Sequence, residues 1–291
     1  MSDICNYFLL LHWKNIEKVI MLIDVKQVLK SKLGNKADWI PAFVTNYLIR
    51  LIHQDEINDI IVKFNDLNGV DFMNALIGYF NIKLIIKNEE NLPKDGQRYI
   101  FASNHPLGGL DGICLSTVIG NHYEGKIRYL VNDILFYITN LQSIFVPINK
   151  HGAQNKASVK KIEEAYSSDN QIITFPAGLC SRKQHGIVCD LEWKKSFIQK
   201  AINYKRNIVP VYFEGRNSNF FYRFAHFRKL FGIKFNIEML LLSDEIFKKT
   251  DKTFTITIGK PVSYEIFDAS KKSTEWAEMM KETVYKLADK Q

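Results

Sequence analysis

A histidine and an aspartate separated by five residues share the segment Phe101-Ala-Ser-Asn-His105-Pro-Leu-Gly-Gly-Leu-Asp111-Gly-Ile-Cys-Leu115. The segment opens as a strand-like run, turns through Gly108-Gly109 and continues as an apolar helix. An Asp111 at the helix N-cap would be held ionised by free backbone N–H groups. It would bond one imidazole nitrogen of His105, fix its tautomer and leave the other nitrogen as a general base. The glycine pair would let the turn bend, leave room for a substrate and offer N–H groups to an oxyanion. The competing structural reading is a histidine that merely satisfies a backbone group in a tight turn. The glycines match neither G-x-G-x-x-G nor a P-loop, which leaves nucleotide binding without a motif.

Three basic residues are candidate anion binders: Lys150, Arg182 and Lys183. Arg182 stands out because it follows a Phe-Pro-Ala-Gly turn, where its planar fork suits bidentate recognition of phosphate or carboxylate. A solvated surface charge is the alternative for each. Cys180 lies in a stretch resembling a hydrolase nucleophile elbow, but Arg182 occupies the place of the second glycine, so a neutral packed thiol is the expectation. The segment Phe213-Glu-Gly-Arg-Asn217 could line a pocket or form a solvated loop. Four cysteines without C-x-x-C spacing fit a reduced compartment, and no metal-ligand set is present.

The elements that must position these groups fall into two regions. From about residue 24 to 81 apolar residues recur at helical spacing, in 39–53 (Trp39, Phe43, Tyr47, Leu51) and in 57–64, with Asp55 and Asp71 placed as N-caps. The stripe on 39–53 suits either a helix packed on the core or one lying in a membrane interface, with Arg50 and His53 nearby. From residue 82 the period changes. Runs rich in β-branched and aromatic residues at 82–87, 98–103, 127–131, 144–148, 171–175, 207–213 and 253–258 alternate with helical segments at 111–119, 156–167, 191–204 and 274–288. The expectation is an α/β domain over 82–291, a central sheet flanked by helices, carrying an N-terminal helical extension over 1–81.

Composition narrows the partners. At 291 residues, 46% hydrophobic and 24% charged, the chain can bury a large core, and disorder is excluded. Its 39 Lys+Arg against 31 Asp+Glu give +8, which suits an anionic partner. Basic residues are interleaved with acidic ones and no nucleic-acid motif is present, so nucleic acid is not expected. The apolar run Tyr7-Phe-Leu-Leu-Leu11 is too short for a membrane span and lacks the basic flank of a signal peptide; Met21 is an alternative start.

Four blocks in fixed order then give the chain a family resemblance. Asn104-His105-Pro-Leu-Gly-Gly-Leu-Asp111 resembles the N-H-x-x-x-x-D motif of the lysophospholipid acyltransferase superfamily, with one extra residue. Ser143-Ile-Phe-Val-Pro-Ile-Asn-Lys150 is similar to its second motif, with Lys150 at the usual arginine. Phe175-Pro-Ala-Gly-Leu-Cys-Ser-Arg182 is similar to F-P-E-G-T-R-S, and Ile208-Val-Pro-Val211 to the hydrophobic fourth block. Gly259-Lys-Pro261 resembles a late family feature. The form is similar to a bacterial branch labelled haemolysin-like or glycerol acyltransferase, associated with phospholipids and amino-acid-containing lipids.

The resemblance implies a mixed sheet and an O-acyltransferase that moves a fatty acyl group from acyl carrier protein or coenzyme A to a hydroxyl of a lyso-lipid. The acceptor would be lysophosphatidate-like or an N-acyl amino acid lipid. It implies His105 and Asp111 as the catalytic pair. Asn104, Gly108, Gly109, Lys150, Phe175, Pro176, Gly178, Ser181 and Arg182 would be the binding positions. No resident cofactor is implied, and the enzyme would work peripherally, on an anionic membrane surface at the cytoplasmic face of the inner membrane. Ala177 and Cys180 replace the usual acidic residue and arginine of the third motif, which sets the chain apart from acylators of a standard lysophosphatidate. The rival readings are a thioesterase or lipase using Cys180, and a non-enzymatic basic lipid-binding protein.

Overall fold

The computed structural model describes residues 22–132, 138–148, 156–233 and 236–288. Each strand-like run of the sequence becomes a strand: β1 (Lys83–Lys87), β2 (Tyr99–Ser103), β3 (Ile127–Asn132), β4 (Phe145–Ile148) and β5 (Gln171–Thr174). A short hairpin, β6 (Arg182–Gln184) and β7 (Ile187–Cys189), stands apart from the sheet, and β8 (Asn207–Phe213) and β9 (Thr253–Ile258) complete it. The order β1-β9-β8-β2-β5-β3-β4 is parallel throughout except where β8 meets β9, so the sheet is mixed.

The helices are α1 (Val25–Leu33), α2 (Ala42–Ile52), α3 (Gln54–Lys63), α4 (Gly69–Tyr79) and α5 (Leu110–His122), then α6 (Lys156–Ser167), α7 (Ser196–Tyr204), α8 (Asn219–Leu230), α9 (Leu242–Phe247) and α10 (Ser273–Tyr285). Strand periodicity decides which layer each residue joins. In β2, Tyr99 and Phe101 pack with α4 and α5, whereas Ile100 and Ala102 pack with α6, α7 and α10 on the other face. Both faces are therefore dry, as a largely parallel sheet requires. Full burial of a side chain such as Phe101 contributes about 1.5–3 kcal/mol. Phe72, Met73 and Leu76 of α4 belong to the first of these cores, so the N-terminal helices share the interior of the sheet domain.

Several local expectations are corrected. The residue capping α5 is Gly109, and Asp111 lies inside the first turn; likewise His53 and Asn68 precede α3 and α4, with Asp55 and Asp71 inside their first turns. The stripe on 39–53 is interrupted at Pro41, which has no N–H to donate and caps α2, leaving Trp39 in a 3-10 turn. Trp39, Phe43 and Tyr47 are 88%, 74% and 60% exposed, so core packing is wrong for all three. Leu51 alone of the four packs inward, on the cluster around Cys180 and Phe221. The helix expected over 191–204 begins only at Ser196.

Candidate active site

The reactive groups collect at the carboxyl ends of β2, β5 and β8, where open α/β sheets bind ligands. His105 leaves β2 and its Nδ1–H donates to Asp111 Oδ2 at 3.0 Å. The same oxygen accepts the Leu107 and Gly108 N–H groups at 2.9 and 3.2 Å, and Oδ1 accepts that of Gly112 at 2.9 Å. Four donors thus fix a fully buried carboxylate. The extra residue between His105 and Asp111 is taken up in a turn whose Gly108 sits at φ 80°. A Cβ there would lie 2.7 Å from Leu242 Cδ1. The Leu107 and Gly108 N–H groups are spent on Asp111, which removes them from the oxyanion role expected of the turn.

With Nδ1 committed, Nε2 is the histidine nitrogen left to take a proton. The ring is stacked on Phe175 from the end of β5, centroids 3.9 Å apart and planes 18° from parallel, and Tyr129 makes a T-shaped contact with Phe175 at 5.5 Å between centroids. This restrains rotation about the His105 side-chain bonds. The arrangement suits proton abstraction from a hydroxyl that attacks a carbonyl carbon.

The remaining sequence-derived positions divide into those that hold the site and those that face it. Asn104 is buried, its Oδ1 accepting the Phe213 N–H at 2.7 Å and its Nδ2 donating to Phe213 O at 2.9 Å. That pairing pins the His105 turn to β8. Pro176 is buried and its carbonyl accepts from Lys194 N–H, while Gly178, at φ 69°, closes the turn by donating to Phe175 O. Ser181 is buried, with its N–H on His105 O at 2.7 Å. Gly215 packs on Leu107 and the buried Asn217 donates to Leu107 O at 3.4 Å, so the 213–217 segment supports the turn that carries His105. Lys183 is exposed on β6, and Lys150 lies outside the described residues.

Arg182 departs from the anion-binding expectation. Its guanidinium donates to Glu238 Oε1 at 2.9 Å and to the Cys180 and Ser181 carbonyls, and Glu238, fully buried, also pairs with Arg228. The fork is filled by protein groups. The side chain that overhangs the Pro-Ala-Gly turn is instead Lys194, whose Nζ would lie 3.4 Å from a Cβ at Gly178. Cys180 is fully buried and accepts from Arg182 at its Sγ. Burial pushes its thiol up to about 11, the arginine offsetting only part of this, which removes the ground for a Cys180 hydrolase.

The residue that sequence reasoning missed is Asp190. It is fully buried at the end of β7; its Oδ1 accepts the His105 backbone N–H at 3.1 Å and the Ser181 hydroxyl at 2.6 Å, and its Oδ2 accepts the Trp193 indole N–H at 2.9 Å. Its own N–H donates to the Tyr285 hydroxyl on α10. Burial raises the carboxyl above the usual range, opposed by the Ser181 and Trp193 hydrogen bonds. No motif flags this position; only the nearby tryptophan hinted that the stretch is interior.

Comparison with known proteins adds the family. The model of a family described as Acyltransferase matches residues 27–290. The chain is 52% identical over 268 residues to a lyso-glycine lipid O-acyltransferase of Bacteroides thetaiotaomicron, covering 92% of this chain and 98% of that protein. It is 49% identical over 278 residues to a protein of the same name from Phocaeicola vulgatus, covering 94% and 99%. A crystal structure of the 1-acyl-sn-glycerophosphate acyltransferase PlsC from Thermotoga maritima aligns over 100% of this chain and 99% of its own at 16% identity, with a TM-score of 0.45. The histidine–aspartate pair at the end of β2 thus belongs to an enzyme, and the chain is a member of the acyltransferase family.

Proposed function

We propose that this enzyme O-acylates a lyso-lipid whose headgroup is glycine, using an acyl thioester of acyl carrier protein or coenzyme A. The observation that carries the chemistry is the His105–Asp111 pair, whose Nε2 has no hydrogen-bond partner among the described residues. The acceptor hydroxyl would lose its proton to Nε2 as its oxygen attacks the thioester carbonyl carbon. Collapse of the tetrahedral adduct breaks the C–S bond, and the imidazolium returns the proton to the departing thiolate, leaving an ester and a thiol. Asp111 stabilises the imidazolium between these steps. The names of the two half-identical relatives support a glycine headgroup, and so does an Arg182 occupied by Glu238 rather than left open for a phosphate. Lys194, over the Pro-Ala-Gly turn, is a cation available to a single carboxylate.

The setting we propose is the cytoplasmic face of an anionic inner membrane. Among the described residues no helix is long and apolar enough to cross a bilayer. Phe43 and Tyr47 expose their rings beside Arg50, along a groove of about 590 Å³ lined by Phe43, Val44, Asn46, Tyr47 and Arg50, and Trp39 is exposed in the turn before the helix. Purified enzyme given acyl carrier protein and coenzyme A thioesters, with lyso-glycine lipid and lysophosphatidate as competing acceptors, tests the reading by mass spectrometry. Diacylated glycine lipid is the expected product. Acylation of lysophosphatidate alone would contradict the headgroup assignment.

A further inference from the structure

Residues 215–237 contain no aspartate or glutamate, yet they hold Arg216, Arg223, Arg228, Lys229 and Lys234 together with seven aromatic residues. The charge of this chain is therefore less evenly mixed than its composition suggests. The stretch contains α8, and α8 carries two apolar faces rather than one. Phe221, Tyr222 and Ala225 are buried. Phe220, Phe227 and Leu230, seven and then three residues apart, and Phe231 at the C-cap lie on the outside, Leu230 and Phe231 being 71% and 75% exposed, with Ile233 exposed just beyond. Arg223 is exposed among them, and His226 and Lys229 are exposed on adjoining sides of the helix. A helix that buries one apolar stripe and shows a second one, studded with cations, has the composition of an interfacial helix.

The helix is also tied to the catalytic centre. Arg228 turns inward to pair with Glu238, which holds Arg182 at the start of the hairpin that follows the Phe175 turn. The Ser218 N–H, at its N-cap, donates to Glu245 of α9, and Leu242 of α9 abuts Gly108. The exposed aromatic helix α2 rests on this same α9 and on the 3-10 turn Ile237–Leu241, which α8 also contacts.

We propose that the outer face of α8, from Phe220 to Ile233, is a second membrane-docking surface, seated on an anionic bilayer alongside the α2 face. The assignment rests on the proposed lipid acceptor. Charge decides the occupant. Two copies meeting through this face would bring Arg223 and Lys229 against their own kind without an acid to answer them, whereas anionic headgroups neutralise them while the rings enter the acyl boundary.

The test is co-sedimentation of the full chain with vesicles of equal parts phosphatidylglycerol and phosphatidylethanolamine, paired with acylation of lyso-glycine lipid dispersed in detergent. The Phe227→Ser/Phe231→Ser double variant should lose about tenfold in vesicle partitioning. Arg223→Gln/Lys229→Gln, which leaves the rings intact, should lose binding severalfold and flatten its salt dependence. Both pairs should keep detergent-phase turnover within about twofold and melt like the parent, since neither touches the site. Vesicle binding unchanged in both variants overturns the proposal. So does unchanged vesicle binding with lost affinity for acyl carrier protein, which would make this a protein-docking face. If the wild type binds vesicles through these residues yet acylates nothing in detergent, the surface stands and the proposed reaction falls.

Discussion

His105 is gripped at four points, through its ring by Asp111, through its ring face by Phe175, through its backbone N–H by Asp190 and through its carbonyl by the Ser181 N–H. Asp190 acts through the histidine rather than on substrate, so it is a positioning residue. Asp190→Asn leaves one of the N–H donors of His105 or Trp193 facing an amide NH2, a loss of about 1–3 kcal/mol in stability. Turnover number should fall about tenfold while KM moves little, because the histidine is displaced and the acceptor site is not. A variant that melts earlier but keeps full turnover would make Asp190 structural only. Cys180 is checked by alkylation. With its thiol pushed up to about 11, roughly one molecule in a thousand is thiolate at pH 8. Native protein should therefore be alkylated at the half-buried Cys189 well before Cys180, and equal rates would refute a neutral packed thiol. His105 and Asp111 were legible in the sequence because a short-range turn brings them together. Asp190 was not, because it reaches His105 across 85 positions and only the folded hairpin closes that gap.

At the level of elements, the buried ion network Arg182–Glu238–Arg228 joins the β6–β7 hairpin to α8 and to the turn before α9. Arg182→Gln strands half of a fully buried carboxylate, and a loss of about 3 kcal/mol is expected in denaturant melts, with acceptor KM unchanged. The reverse pattern, a raised KM and an unaltered melting point, would restore Arg182 as an acceptor ligand. The seven sheet strands were readable because each is an apolar run, most of them rich in β-branched residues and buried on both faces. The hairpin was not, since three-residue strands carrying Arg182, Lys183 and Gln184 have no apolar period to detect. Helix α8 escaped for a related reason: with apolar groups on two faces, its helical period is blurred. The stripe on 39–53 was visible, but periodicity cannot tell a face turned to the core from one turned outward, and Pro41 broke it besides.

Across the whole molecule, the +8 balance is distributed to some purpose. It is concentrated where acids are missing, over 215–237, and beside the aromatic face of α2 at Arg50. Binding to anionic vesicles should therefore weaken sharply between 0.1 M and 1 M salt, as the screening length falls from about 10 Å to about 3 Å. Salt-independent binding would mean that the rings alone hold the surface. In the proposed reading, this surface delivers an acceptor hydroxyl to His105 Nε2. The most direct measurement is thus the rate of ester formation from an acyl thioester and lyso-glycine lipid by wild type and His105→Ala, each confirmed as folded by its melting curve. A fall of about 10²–10⁴-fold is expected if His105 Nε2 is the base. Equal product yield from the two proteins would contradict it.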